Sequence, residues 1–170
     1  LEHEIKSSID SYIKSIDHET LTVLEKLDIK EFNCSRKANG KRSVFARGQL
    51  QKKLMETLNW KGYDFKEIEP DYTSQCCPVC SHTDKANRNN KSFKCQCCGY
   101  EADADYVGAL NIKARAEDTE ILDVCEKYKY NHDEMQKHIK MVYNARNEKY
   151  KAAAGKAVQQ SEGSGSRDAA

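Results

Sequence analysis

The chain has 170 residues, 38% of them hydrophobic and 32% charged, with a formal net charge of +1. That length supports one modest core with an appendage and excludes two full-sized catalytic domains. No apolar run approaches the roughly 20 residues of a membrane span, and no signal-peptide pattern occurs, so an intracellular protein with no membrane partner is expected.

The first predicted element is an amphipathic helix over residues 1 to about 17, because Leu1, Ile5, Ile9, Ile13 and Ile16 recur at helical spacing. Its opening on Leu1 reads as the middle of a helix, which leads us to expect a piece of a longer polypeptide. Residues 20–27 are β-branched and apolar, with Glu25 near the end, and read as a mostly buried strand. A polar, basic loop is expected from Asn33 to Ser43. Phe45, Leu50, Leu54 and Leu58 then place a second helix over 44–59, stopped by Gly62 and followed by a short strand, 63–69.

Pro70 leads into a cysteine-rich insert, 76–100, which has too few apolar residues to fold without a cross-link. Val107, Leu110 and Ile112 mark a helix from Ala104 to about Arg115 that returns to the main core. Residues 118–150 read as a helical hairpin broken at 130–133, with Asn131 and Glu134 spaced as an N-cap pair. The Gly/Ser-rich end, 155–170, is expected to be a disordered tail or linker. The predicted domains are therefore 1–75, an insert at 76–100, a closing helix within 101–117, a helical extension at 118–154 and the tail.

Charge is unevenly spread. Residues 34–66 hold nine Lys/Arg against Glu56 and Asp64, a balance of +7, whereas 101–134 carry four basic residues against ten acidic ones. A basic half facing a polyanion is one reading and two ordinary solvated faces the other. Under the first, Arg36, Lys37, Lys41, Arg42 and Arg47 are candidate phosphate contacts. Lys85, Arg88, Lys91 and Lys94, interleaved with Phe93, offer a second nucleic-acid surface, with loop solvation as the alternative.

Six of the eight cysteines lie between Cys76 and Cys98. Cys77-Pro-Val-Cys80 and Cys95-Gln-Cys-Cys98 are two knuckles that bring four thiolates around one ion. Zinc accepts tetrahedral sulfur coordination without redox chemistry, and four thiolates leave no open position, so Cys77, Cys80, Cys95 and Cys98 are predicted to hold a structural Zn2+. Cys76 and Cys97 leave the register ambiguous, and an iron-sulfur centre is the alternative metal reading.

In their order along the chain, Val23-Leu-Glu-Lys-Leu27, Tyr72-Thr-Ser-Gln75, the paired knuckles and Ala104-Asp-Tyr-Val-Gly-Ala-Leu-Asn-Ile112 resemble the C-terminal half of TnpB transposon nucleases and type V CRISPR effectors. The resemblance covers residues 18–113. It implies an α/β fold, a partial RNase H-like (RuvC) domain interrupted by a zinc ribbon and followed by the helical extension. It also implies a prokaryotic, cytoplasmic, nucleoid-associated endonuclease that cuts target DNA chosen by a guide RNA, these and the remainder of the same polypeptide being its partners.

By motif position Glu25 matches the second catalytic acid and Asp105 the third, the pair holding Mg2+. Two such carboxylates suit metal-assisted phosphodiester hydrolysis. Asp103 is the rival for the Asp105 role. The first acid of such sites stands on an earlier strand pair that is not seen ahead of Glu25, so the chain alone is expected to be inactive. Val107-Gly-Ala109 departs from the family's Asn-Ala-Ala, and His82 stands where a glycine commonly follows the first knuckle. Two alternative functions stay open: a guide-directed DNA binder without cleavage, and a stand-alone zinc-ribbon module.

Overall fold

The structure, a computed structural model, describes residues 2–27 and 38–163, with side chains for 3–27 and 48–156. It is a mixed α/β chain that divides into two compact units, Leu1–Glu69 and Pro70–Ala170.

In the first unit, helix α1 spans Glu2–Ser15, strand β1 Thr22–Glu25, helix α2 Ala38–Lys61 and strand β2 Phe65–Ile68. The two strands pair in parallel, Thr22 opposite Phe65 and Glu25 opposite Ile68, as a strand-helix-strand connection requires. The apolar stripe read from the sequence is the core here: Ile9, Ile13 and Leu58 are buried, with Ile5, Tyr12, Leu54 and Phe65 packed on them. Tyr12 Oη lies 2.8 Å from Thr22 Oγ1, tying α1 to the start of β1.

Helix α2 stops where predicted. Gly62 takes a left-handed φ of +73° and Tyr63 N–H returns to the Leu58 carbonyl at 2.9 Å, closing the helix end. Its start differs from the expectation, since Ala38–Ser43, placed in the predicted loop, is helical, and residues 33–37 of that loop lie outside the described residues. Gly40 alone disfavours helix by only about 1 kcal/mol, which the following turns outweigh.

The second unit begins with the ribbon. Strands β3 (Arg88–Asn89), β4 (Ser92–Lys94) and β5 (Glu101–Asp103) form an antiparallel sheet in that order, preceded by a 3-10 turn at Lys85–Asn87. Helix α3 (Ala104–Arg115) leaves β5 directly, and Val107 on its first turns is fully buried with Phe93 and the cysteines. Helices α4 (Thr119–Lys127) and α5 (His132–Gly163) make the predicted hairpin, its core being Ile121, Met135, Ile139 and Tyr143 together with Cys76. Asn131 Oδ1 accepts from Glu134 N–H at 3.2 Å, the capping contact read from the sequence.

Two expectations are corrected. Residues 155–163, expected to be unstructured, continue α5, whose 32 residues end at Gly163. The run Lys-Ala-Ala-Ala ahead of Gly155 is a strong helix former, and the sequence reading weighted the glycines and serines beyond it too heavily. Phe93, expected on a nucleic-acid surface, is fully buried and meets Tyr100 edge-on at 6.4 Å between ring centres. It supplies the apolar filling the ribbon otherwise lacks. No helix among the described residues is long and apolar enough to cross a membrane.

Candidate metal centre and carboxylates

The two knuckles fold alike. Cys77 N–H donates to the His82 carbonyl at 2.9 Å and Ser81 N–H to the Cys77 carbonyl at 2.9 Å. Likewise Cys95 N–H donates to the Tyr100 carbonyl at 2.8 Å and Gly99 N–H to the Cys95 carbonyl at 3.0 Å. Each turn ends on a left-handed residue, Ser81 at φ +60° and Gly99 at φ +75°. The position that needs a glycine-like backbone after the first knuckle is thus Ser81, one residue before His82.

These turns aim four sulfurs at one point. The ligand atoms of Cys77, Cys80, Cys95 and Cys98 all lie within 4.8 Å of one another. Cys77 Sγ is 3.6 Å from Cys98 Sγ, and Cys80 Sγ is 3.5 Å from Cys95 Sγ. A tetrahedron of Zn–S bonds near 2.3 Å has edges of about 3.8 Å, so the donor set fits one zinc ion. Sulfurs this close leave no room for a multi-iron cluster. The register follows from the same geometry, because Cys76 Sγ points away to the Cys77 carbonyl, 3.6 Å, and Cys97 Sγ faces Asn147.

Without a cation the buried thiols of Cys77, Cys80 and Cys95 are unequal. Burial pushes Cys77 up to about 12 and also raises Cys80. Burial opposes ionisation of Cys95 too, yet the N–H groups of Cys98 and Cys97 and the neighbouring thiols outweigh it and hold Cys95 below the usual thiol range. Thiolates that share a buried space in this way require a divalent ion to coexist.

Three buried asparagines brace the centre, and the sequence reading missed all of them. Asn87 donates to the carbonyls of Gln75 and His82 at 2.8 and 3.0 Å and accepts from Gln96 N–H at 3.0 Å, joining both knuckle regions. From α3, Asn111 donates to the carbonyls of Thr73 and Cys76 at 2.7 and 2.8 Å. Asn147, from α5, donates to the Cys80 carbonyl at 2.8 Å. The available signal was their position: asparagine inside a helix is disfavoured unless its amide has a specific partner.

The candidate carboxylates are distributed between the units. Glu25 is exposed at the C-terminal end of β1, in the first unit. Asp105 lies in the first turn of α3, in the second unit. The local structure separates it from Asp103, which is the N-cap of α3: Asp103 Oδ1 accepts from the N–H groups of Asp105 and Tyr106 at 2.9 and 3.0 Å. Those two donors hold the Asp103 carboxyl below its ordinary range. Asp105 instead projects its carboxylate outward, 72% exposed, where Arg88 Nη2 meets it at 2.7 Å. Of the basic candidates, Arg36 and Lys37 lie outside the described residues, and Lys41, Arg42 and Arg47 fall on α2 with side chains outside them. The four cysteines are therefore the predicted site residues that a single unit brings together.

Comparison with known proteins agrees with the ribbon and its flanking helix. Residues 48–112 match the family model described as Cas12f1-like, TNB domain. The chain is 45% identical over 64 residues to the CRISPR-associated endodeoxyribonuclease Cas12f1 of Sulfoacidibacillus thermotolerans, covering 37% of this chain and 15% of that protein. It is 41% identical over 85 residues to InsQ of Escherichia coli (strain K12), described as a candidate RNA-guided DNA endonuclease, covering 48% of this chain and 21% of InsQ. Among solved structures, CasPhi-2 (Cas12j) bound to crRNA and phosphorothioate-DNA superposes with a TM-score of 0.51 at 26% identity, over 66% of this chain and 18% of that one.

The chain is thus similar to Cas12f1 and InsQ, and the similarity to the Cas12f1-like model lies in the segment 48–112. It matches about a fifth or less of the length of these curated relatives, 15% of Cas12f1 and 21% of InsQ.

Proposed function

We propose that this chain contributes the RuvC-type, RNase H-like nuclease portion and zinc ribbon of an RNA-guided DNA endonuclease, with guide RNA and target DNA as its partners. The observation that carries the reading is the coincidence, within the Cas12f1-like segment 48–112, of a closed four-cysteine centre and an outward-facing Asp105 on the helix that leaves the ribbon. The parallel strand pair supports it. Glu25 ends β1 at the C-terminal edge of that pair, the edge at which α/β sheets place their ligands.

In this reading Glu25 and Asp105 hold Mg2+, whose preference for hard oxygen donors both exposed carboxylates meet. When bound, such ions activate the attacking water and stabilise the leaving oxygen of the phosphodiester. The residues of the chain do the positioning: Asp103 caps α3 and keeps the first-turn backbone in place, and Arg88 adds a positive charge beside Asp105 for the scissile phosphate. The basic residues Arg36, Lys37, Lys41, Arg42 and Arg47 hold backbone phosphates without reading sequence, which the guide supplies by base pairing. The structural Zn2+ holds the ribbon together and takes no part in the chemistry.

The test uses the complete parent protein loaded with its guide. Glu25→Ala and Asp105→Ala should each abolish Mg2+-dependent cleavage while target binding persists. Cutting that survives both substitutions would overturn the assignment.

A further inference from the structure

The α4–α5 hairpin lies beyond the matched segment 48–112, yet it reaches the metal centre. Asn147 on α5 is only 4% exposed, and its Nδ2 donates both to the Cys80 carbonyl at 2.8 Å and toward Cys97 Sγ at 3.6 Å. Cys80 belongs to the first knuckle and Cys97 to the second, so one amide group spans the two. Its neighbour fixes its register: Arg146 grips both oxygens of Asp118, at 2.6 and 2.8 Å, and Asp118 is the N-cap of α4. Cys97 is a rival thiol next to Cys98, and this contact engages its sulfur outside the group of four.

We infer that Asn147 is a positioning residue of the metal centre. It locks the knuckles together and selects Cys98 over Cys97 as the fourth ligand, which makes the α4–α5 hairpin the retaining clamp of the ion. The inference rests on the reading of the four cysteines as a zinc site. Partners of this outer kind typically change metal affinity 10–100-fold when removed.

Zinc transfer from the full chain to a chromogenic chelator tests it, with helix content followed by circular dichroism. Asn147→Asp keeps the volume and removes the donors, so it should release zinc at least about tenfold faster than the unsubstituted chain, as should Asn147→Ala. Ile139→Val, which trims the fully buried hairpin core, should release it at a nearly unchanged rate. A second readout is the cobalt(II) spectrum of Cys98→Ser. Three sulfurs are expected with Asn147 in place, and four once Asn147→Ala lets Cys97 enter.

Release from Asn147→Asp at the original rate, or equal acceleration by Ile139→Val, would overturn the clamp while leaving the zinc site standing. An unsubstituted chain that takes up no zinc would overturn both.

Discussion

Arg88 donates from Nη2 to the Asp105 carboxylate at 2.7 Å and from Nη1 to the Ala104 carbonyl at 3.3 Å, so a ribbon strand holds the first turn of the helix that follows it. The carboxylate is 72% exposed, and an ion pair of that exposure stabilises by only about 0–1 kcal/mol. A divalent cation can therefore displace the guanidinium at little energetic cost.

The two aspartates should separate in experiment. Under the proposed assignment Asp105→Asn removes a ligand but no cap, and is expected to leave the melting temperature within a degree or two while ending Mg2+-dependent cutting by the complete guide-loaded protein. Asp103→Ala removes the acceptor for two N–H groups, and should lower the melting temperature while cutting continues. Thermal melts paired with cleavage assays check this, and the reverse pattern would identify Asp103 as the ligand.

Metal content gives a second check. Elemental analysis should return about one zinc per chain, lost on Cys77→Ser or Cys95→Ser, and a strong chelator should unfold the ribbon. A chain that melts identically with and without chelator would contradict the closed thiolate site.

Phe93 and Tyr106 are expected to behave oppositely. Phe93 is fully buried, and Phe93→Ala should cost about 3–5 kcal/mol, measured by denaturant unfolding. Tyr106 is 58% exposed beside Asp105, so Tyr106→Ala should leave stability almost unchanged and weaken single-stranded DNA binding through a lost stacking partner. Fluorescence anisotropy with a labelled oligonucleotide measures the second effect.

The hairpin carries its own pH dependence. Burial opposes ionisation of Asp118, but the paired donors of Arg146 and the Ile121 N–H outweigh it and hold the carboxyl below its ordinary range. A depressed carboxyl stabilises the fold above the ordinary carboxylate range, near pH 4, and that contribution is lost as the pH falls below it. Melting temperature followed from pH 6 to pH 2 should drop steeply, and Arg146→Ala should flatten that drop.

Much of this was legible in the sequence because it depends on spacing. The two knuckles, the apolar stripe of α1, the break before α5 and the turn at Gly62 all follow from residue types at fixed intervals. What spacing could not give was partnership between distant residues. Phe93 read as an aromatic among lysines because alternation alone does not show which face of a three-residue strand is covered, and here Val107 and the cysteines cover it. Asn147 stands 67 positions from Cys80, and no local pattern links them. Asp105 and Asp103 were distinguished in the sequence by motif position alone; that Asp103 caps α3 is a local bond the motif does not spell out.

Cys76 packs in the hairpin core with Ile121 and Ile139, while Cys77, the very next residue, packs in the ribbon core with Phe93. One peptide bond thus joins two hydrophobic interiors, and loss of the ion from one is felt in the other. Calorimetry of residues 70–163 in the zinc-loaded chain should then record one shared transition, and stripping the ion should soften helices that never touch it.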